Sequence, residues 1–269
     1  MDSSQLARRA GENLNNIREK KPLVHNITNF VVMNYTANAL LACGASPVMA
    51  HASEEVEEMV GLAGVLVLNI GTLTSYWIDS MVKAGKKANE LGRPIILDPV
   101  GSGATTLRTS SSKRIIEEVS VNVVRGNASE VLSLAVGGSK TKGVDAIHSV
   151  DEAADAALGL ANDLKTTLAI TGVIDLITDG DRTCRVSNGH DLMGYVTGMG
   201  CTATAIIGAF LAVDEDPLEA TATALSYIGL AGEMAAENAH APGQFQMALL
   251  DALYTIDAKQ MQERAKIEI

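Results

Sequence analysis

Short apolar runs that end in polar or glycine residues, each followed by a helix-forming stretch, recur along this chain and limit its fold more than any single motif. Val65 to Asn69 reads as a buried strand leading to Gly71-Thr72 and a helix that runs to about Leu91. Ile95-Ile96-Leu97-Asp98 opens onto Pro99-Val100-Gly101-Ser102-Gly103-Ala104, with a further helix around Arg114. Val121 to Val124 runs into Arg125-Gly126-Asn127-Ala128-Ser129-Glu130, and Thr167 to Thr171 stops at Gly172. Such strands alternating with helices read as an α/β fold, a mostly parallel sheet with helices on both faces. In that architecture ligands sit beyond the carboxyl ends of the strands, where the polar loops gather.

The chain of 269 residues suits one domain spanning 1–269, with no repeat or linker to divide it. Its 47% apolar and 20% charged composition fits a packed core and excludes extensive disorder. A net charge of -11 and only 3% aromatic residues exclude a basic stripe for phosphate backbones and leave few rings for base stacking, so no nucleic-acid partner is expected. Three widely spaced cysteines, Cys43, Cys184 and Cys201, form neither a disulfide framework nor a zinc pattern and suggest a reducing compartment. Met1 to Lys21 has no apolar signal region, and no apolar run reaches the ~20 residues needed to span a bilayer. The expectation is a cytoplasmic protein without a membrane partner.

Taken in order, Ser3 to Lys20 is amphipathic through Leu6, Ala10, Leu14 and Ile17, and Pro22 stops it. Pro22 to Asn29 reads as a strand that runs into His25, Asn26, Thr28 and Asn29 before a helix from about Phe30 to Ala42. This is either an active-site loop or a helix cap beside a surface histidine. Ala45 to Ala50 is a short strand with Met49 at its end, and Ser53 caps a helix opening with Glu54 and Glu55. Gly137 to Gly143 is a small polar loop before a helix over Val150 to Leu164, opened by Asp151 and Glu152. Val173 to Thr178 and Thr183 to Ser187 flank Asp179-Gly180, a hairpin signal that puts antiparallel strands at one sheet edge. Helices follow over Cys201 to Val213, Pro217 to Ala239 and Gly243 to Gln262.

Three places carry chemistry. Gly198-Met199-Gly200-Cys201 joins a tight turn to an apolar helix, whose free first amides suit a phosphate and favour the thiolate of Cys201; alternatively Cys201 is a small packing residue. Asp98, at a strand's end, suits either hydrated magnesium or hydrogen bonds to its own loop's amides. Asn127 and Glu130 stand one turn apart, suited to magnesium through water or to a capping box, and the planar fork of Arg125 suits phosphate oxygens.

These stretches, with Pro22 to Asn29 and Ser46-Pro47-Val48-Met49, together resemble the hydroxyethylthiazole kinases of the ribokinase-like superfamily almost end to end. The resemblance implies a ribokinase-like sheet without a lid domain. It also implies transfer of the ATP γ-phosphoryl group to the primary hydroxyl of 4-methyl-5-(2-hydroxyethyl)thiazole, a salvage step toward thiamine. By that resemblance Met49 and Gly198 meet the thiazole, and Arg125 and Thr171 meet ATP; Asn26, from its polar loop, is a further candidate for the thiazole, and Gly200, from the helix start, for ATP. Cys201 takes the place of the catalytic base, where many relatives in the superfamily carry Asp. Asn127 and Glu130 look like the superfamily's Asn-x-x-Glu magnesium motif, and Asp98 is a further magnesium candidate from its place at a strand's end. The resemblance further implies a homotrimer with sites between subunits. Two other readings stay open: a dehydratase of hydrated nicotinamide nucleotides on the same fold, and a kinase for another small heterocyclic alcohol.

Overall fold

A computed structural model describes residues 2–135 and 150–269, and the polar loop expected over 137–143 lies outside them. The chain enters through α1 (Ser3–Lys20), where Asp2 and Gln5 form a capping box. It continues as β1 (Leu23–Ile27), α2 (Met33–Cys43), β2 (Ser46–Val48), α3 (Val56–Leu62), β3 (Val65–Asn69), α4 (Ser75–Glu90) and β4 (Ile95–Asp98). Next come α5 (Thr106–Glu118), β5 (Val123–Gly126), α6 (Ala128–Leu132), α7 (Val150–Leu164) and β6 (Thr167–Ile170). The hairpin β7 (Asp175–Thr178) and β8 (Thr183–Val186) precedes a 3-10 turn at Asp191–Tyr195. Helices α8 (Met199–Leu211), α9 (Pro217–Ala236), α10 (Pro242–Thr255) and α11 (Ala258–Arg264) lead to β9 (Ile267–Glu268).

Among the described residues the strands form one sheet in the order β2-β1-β3-β4-β5-β6-β7-β8-β9. Pairing is parallel from β2 through β6, and the remaining three pairings are antiparallel. After β1 the chain moves outward to β2 and then returns to β3 on the other side of β1. The order therefore reverses between β1 and β3, and that switch point opens a crevice at their carboxyl ends.

Period-two alternation divides the core into two layers. Val65, Val67, Ile96 and Val123 face α1, α2, α8, α9 and α10, whereas Leu66, Leu68, Ile95 and Val124 face α3, α4, α5, α6 and α7. Helix α8 lies over the centre of the sheet, where a Cβ on Gly208 would come within 2.8 Å of Val67. The close packing allowed there carries the amino end of α8 toward the strand carboxyl ends.

Local signals were weakest at helix boundaries. Helix α3 starts at Val56, after Glu55 and without a side-chain cap, so Ser53 is not its cap. Instead the Ser53 N–H donates to the Tyr76 hydroxyl and the Ser53 carbonyl accepts from Lys83, which ties the β2–α3 loop to α4. The helix expected from Gly243 to Gln262 is two, because Asp257 and Gln260 make a capping box that starts α11. The edge strand β9 extends the antiparallel side beyond the expected hairpin.

Candidate active site

The polar ends of β1, β3 and β4 meet at the switch point. Asn69 and Asp98 are register partners at the ends of β3 and β4, and both are buried. Asn69 Nδ2 donates to Asp98 Oδ2 at 2.8 Å, and the Thr204 hydroxyl of α8 donates to the same oxygen at 2.9 Å. Asn29, just beyond β1, donates through Nδ2 to Asn69 Oδ1 at 2.8 Å and to Cys201 Sγ at 3.5 Å. Asp98 therefore bonds neighbouring side chains and not its own loop's amides; the Gly101 N–H goes to Glu130 Oε1. Burial pushes the Asp98 carboxyl up to about 6, against the nearby Arg125 charge and the Thr204 and Asn69 hydrogen bonds.

Arg125 projects from β5 and lies 3.9 Å from Asp98, while its Nη2 donates to the Thr171 hydroxyl beyond β6. Its guanidinium rests on Gly200, where an added Cβ would sit 2.4 Å from Nη1. Gly198 caps α8 at φ +80°, and a Cβ there would stand 2.2 Å from Val32, so the turn requires glycine on both conformational and steric grounds. Beyond that turn, the Gly200 and Cys201 N–H groups have no acceptor among the described residues. The arrangement presents a helix start and a guanidinium to the same space.

That space is a cleft of about 600 Å³ lined by Arg125, Asn127, Thr171, Gly200 and, farther along, Leu225 and Ile228. Arg125, Thr171 and Gly200 make a cationic, donor-rich end, and the rest of the lining mixes apolar Met193, Leu225 and Ile228 with polar Ser187, Asn188, His190 and Asp191. Asp175 also lines it; its Oδ1 accepts from the Gly172 N–H, and burial pushes its carboxyl up to about 6.

Cys201 is half-buried at the third position of α8. The expectation that the helix start would favour the thiolate is not met. Burial first, and then the Asp98 charge, push the thiol up to about 11, while Asn69, Asn29 and Arg125 pull it down by less. Desolvation of a compact anion outweighs the donors around it.

For Asn127 and Glu130 the structure realises the capping box. Asn127 Oδ1 accepts from the Glu130 N–H, Glu130 Oε2 accepts from the Asn127 N–H, and Glu130 Oε1 reaches the Gly101 loop. Asn127 still lines the cleft. Among the described residues, no three His, Cys, Asp or Glu side chains converge on a metal position, so a full protein cage is absent. Asp98 Oδ1 is nevertheless buried without a hydrogen-bond partner there, a hard oxygen donor that fits a hydrated magnesium ion.

Of the residues expected to meet the thiazole, Gly198 adjoins that cleft's lining through Met199, whereas Met49 and Asn26 are not part of it. Met49 follows β2, one residue past the strand's end, and is half-buried. Asn26 is buried in β1, with Nδ2 donating to the Val24 carbonyl and Oδ1 without a partner among the described residues. His25 is a buried residue, not a surface one, with Nε2 2.7 Å from the Ala50 carbonyl oxygen. Burial lowers its pKa and disfavours the imidazolium.

The profile of the hydroxyethylthiazole kinase family matches residues 14–259. A hydroxyethylthiazole kinase of Desulfotalea psychrophila is 61% identical over 265 residues, covering 98% of this chain and 97% of its own. The chain belongs to the hydroxyethylthiazole kinase family. The solved structure of a Pyrococcus horikoshii hydroxyethylthiazole kinase superposes with a TM-score of 0.89 at 50% identity, covering 97% of this chain and 98% of its own. A Staphylococcus aureus pyridoxal kinase in complex with ADP matches with a TM-score of 0.62 at 15% identity, covering 80% of this chain and 88% of its own, which shows the shared ribokinase-like fold. Within a hydroxyethylthiazole kinase fold, the tertiary structure gathers Arg125, Thr171, Gly200 and Asn127 around one cleft and sets Asp98 behind Arg125. Asn69 and Thr204 had no assigned role in the sequence, although Asn69 ends its apolar run just as Asp98 does; Asn29, expected in either an active-site loop or a helix cap, bonds both Asn69 and Cys201. Arg108 carried no local signal: it bridges the carbonyls of Val100 and Gly71 and so pins the loops after β4 and β3 together.

Proposed function

We propose that this chain phosphorylates the primary hydroxyl of 4-methyl-5-(2-hydroxyethyl)thiazole with ATP, giving a phosphate for thiamine salvage. The observation that carries the reading is the convergence of Arg125 and the free Gly200 and Cys201 amides at one end of a cleft that also offers the apolar surface of Leu225 and Ile228. That polarity fits a nucleoside triphosphate, with its phosphates at the cationic end and its base on Leu225 and Ile228. Thr171 fixes the Arg125 fork, and Arg125 then binds phosphate oxygens.

Phosphoryl transfer is mostly positioning and charge stabilisation. Arg125 and the turn amides meet the charge on the moving phosphoryl group, and Met49, Gly198 and Asn26 hold the thiazole alcohol near that turn. Magnesium, when bound, neutralises phosphate charge; Asp98, Asn127 and Glu130 would hold it largely through water, because Asn127 and Glu130 already accept backbone N–H groups. Cys201 accepts the hydroxyl proton. A raised thiol makes the thiolate scarce at neutral pH, so its placement beside the transferred group matters more than its abundance.

The chain acts as a single domain over residues 1–269 and assembles as a homotrimer whose neighbouring subunit closes the thiazole side. Phe30 and Val31, beside Asn29, are 64% and 69% exposed, which supports a partner surface at that edge. Sedimentation should give one species of three chains, and a fully active monomer would refute the shared site. Cys43, Cys184 and Cys201 are all free thiols, which supports a cytoplasmic setting. Among the described residues no helix is long and apolar enough to cross a membrane. Incubation with magnesium ATP and the thiazole alcohol should yield ADP and the thiazole phosphate in equal amounts. Failure to consume ATP with that alcohol, but consumption with another heterocyclic alcohol, would overturn the substrate.

A further inference from the structure

We propose that Asn29 is a positioning residue for phosphoryl transfer, holding the Cys201 sulfur at the start of α8 and donating a hydrogen bond to it. The inference rests on the reading that Cys201 takes the hydroxyl proton. Asn29 and Asn69 stand at the carboxyl ends of β1 and β3, the adjacent strands between which the sheet order reverses. They are 4% and 1% exposed, so each carboxamide must find its partners within the protein.

Backbone donors fix the sense of both amides. The Val31 N–H donates to Asn29 Oδ1 at 3.1 Å, and the Gly71 N–H donates to Asn69 Oδ1 at 2.9 Å. The two amino groups must then point away from those oxygens. Asn69 Nδ2 donates to the acceptor Asp98 Oδ2, and Asn29 Nδ2 spends one hydrogen on Asn69 Oδ1 and directs the other toward Cys201 Sγ. Gly71 backs this arrangement closely: a Cβ there would lie 2.5 Å from Asn29 Nδ2. The donors therefore start at Asn29, which donates both to Cys201 Sγ and to Asn69, and Asn69 donates in turn to a buried carboxylate, so the network has one orientation.

A sulfur anion is a better acceptor than a thiol, so a donor held at Sγ stabilises the form that accepts a proton. The charged groups that face Sγ are Asp98, which opposes ionisation, and Arg125, which assists it. Asn29 adds a neutral donor whose strength does not change with substrate charge. It also restrains the side chain, keeping the sulfur toward the turn in which Gly200 and Cys201 offer their amides.

The test is Asn29→Ala, with alkylation of Cys201 by iodoacetamide in the ligand-free protein followed by peptide mass across pH, and with kcat and KM measured over the same range. The alkylation midpoint should rise by about one pH unit, as expected for loss of one hydrogen bond to an anion. At neutral pH kcat should fall roughly tenfold with KM for ATP unchanged, and the deficit should close as pH rises. A loss of kcat that is equal at every pH, or an unchanged midpoint, would overturn the proposal. So would a shifted midpoint with normal kcat. Should Asn29→Ala unfold, Asn29→Asp has the same size and still accepts from Val31, but turns an acceptor toward sulfur; it must raise the midpoint further, and a midpoint that stays or falls overturns the proposal. Near-normal turnover in Cys201→Ala would instead remove the proton-acceptor reading, while the alkylation shift would still report separately whether Asn29 acts on the sulfur.

Discussion

Replacing Gly200 with alanine separates catalysis from stability more sharply than any other single change in this site. Gly200 occupies the second position of α8, and its backbone is not in the left-handed region. Alanine therefore introduces no backbone strain, and it removes part of the freedom that glycine has in the unfolded chain. The helix gains roughly 0.5 kcal/mol, or a melting temperature higher by about one or two degrees. The new methyl, however, would stand 2.4 Å from Arg125 Nη1 where ordinary contact begins at 3.4 Å, so the guanidinium must retreat by 1.0 Å. Being the end of a flexible side chain, it can retreat without unfolding anything. It then leaves the Thr171 hydroxyl and its position at the cationic end of the cleft. A charge-assisted hydrogen bond to phosphate contributes about 1.5–3 kcal/mol, and a misplacement of ~1 Å costs about a hundredfold, so kcat/KM for ATP should fall roughly 10- to 100-fold. Steady-state kinetics at varied ATP, with thermal melts on the same samples, make the comparison. A variant that melts no lower and turns over ATP as the parent does would refute the role given to the Arg125 position. Gly198→Ala is the contrast: φ +80° and the 2.2 Å approach to Val32 predict lost stability as well as lost activity.

Cys201→Ala should lower turnover by about 10²–10⁴ with little change in substrate binding, since the turn amides remain. Because the thiol is raised to about 11 and acts deprotonated, kcat should climb as pH increases from neutrality; Cys201→Asp should retain activity and flatten that climb. The Asp98 carboxyl is raised in the folded state, so its stabilising protonation is complete below the ordinary carboxylate pKa near 3.8 and is lost as pH rises through about 6. Asp98→Asn can keep the acceptor for Asn69 and Thr204, and its melting temperature relative to the parent should rise across that window by an amount worth about 3 kcal/mol at most; a pH-independent difference would refute the buried-carboxylate account. Asn127→Ala with Glu130→Ala should abolish most turnover and raise the magnesium needed for half-maximal rate. Loss of the capping box adds about 1 kcal/mol of instability, and normal turnover at low magnesium would leave the pair as a cap alone.

The alternation of apolar runs and helices determined the α/β class, and Asp179-Gly180 placed the antiparallel hairpin, because period and turn chemistry are local properties of the chain. The Gly198 to Cys201 turn was legible for the same reason: glycine spacing and an apolar helix behind it lie within a few residues. The state of Cys201 was not legible. Its thiol is governed by its burial at the start of α8 and by the charge of Asp98, both of which arise only when β4 and the helix pack together. Likewise Asn127 and Glu130 looked equally suited to a metal or to a cap, and only the folded backbone showed both oxygens already accepting N–H groups. The hydrogen bond from Asn29 to Cys201 joins residues 172 positions apart, and the one from Thr204 to Asp98 spans 106. No window of sequence contains such pairs, since a buried polar group takes whatever partner the packing of distant elements delivers.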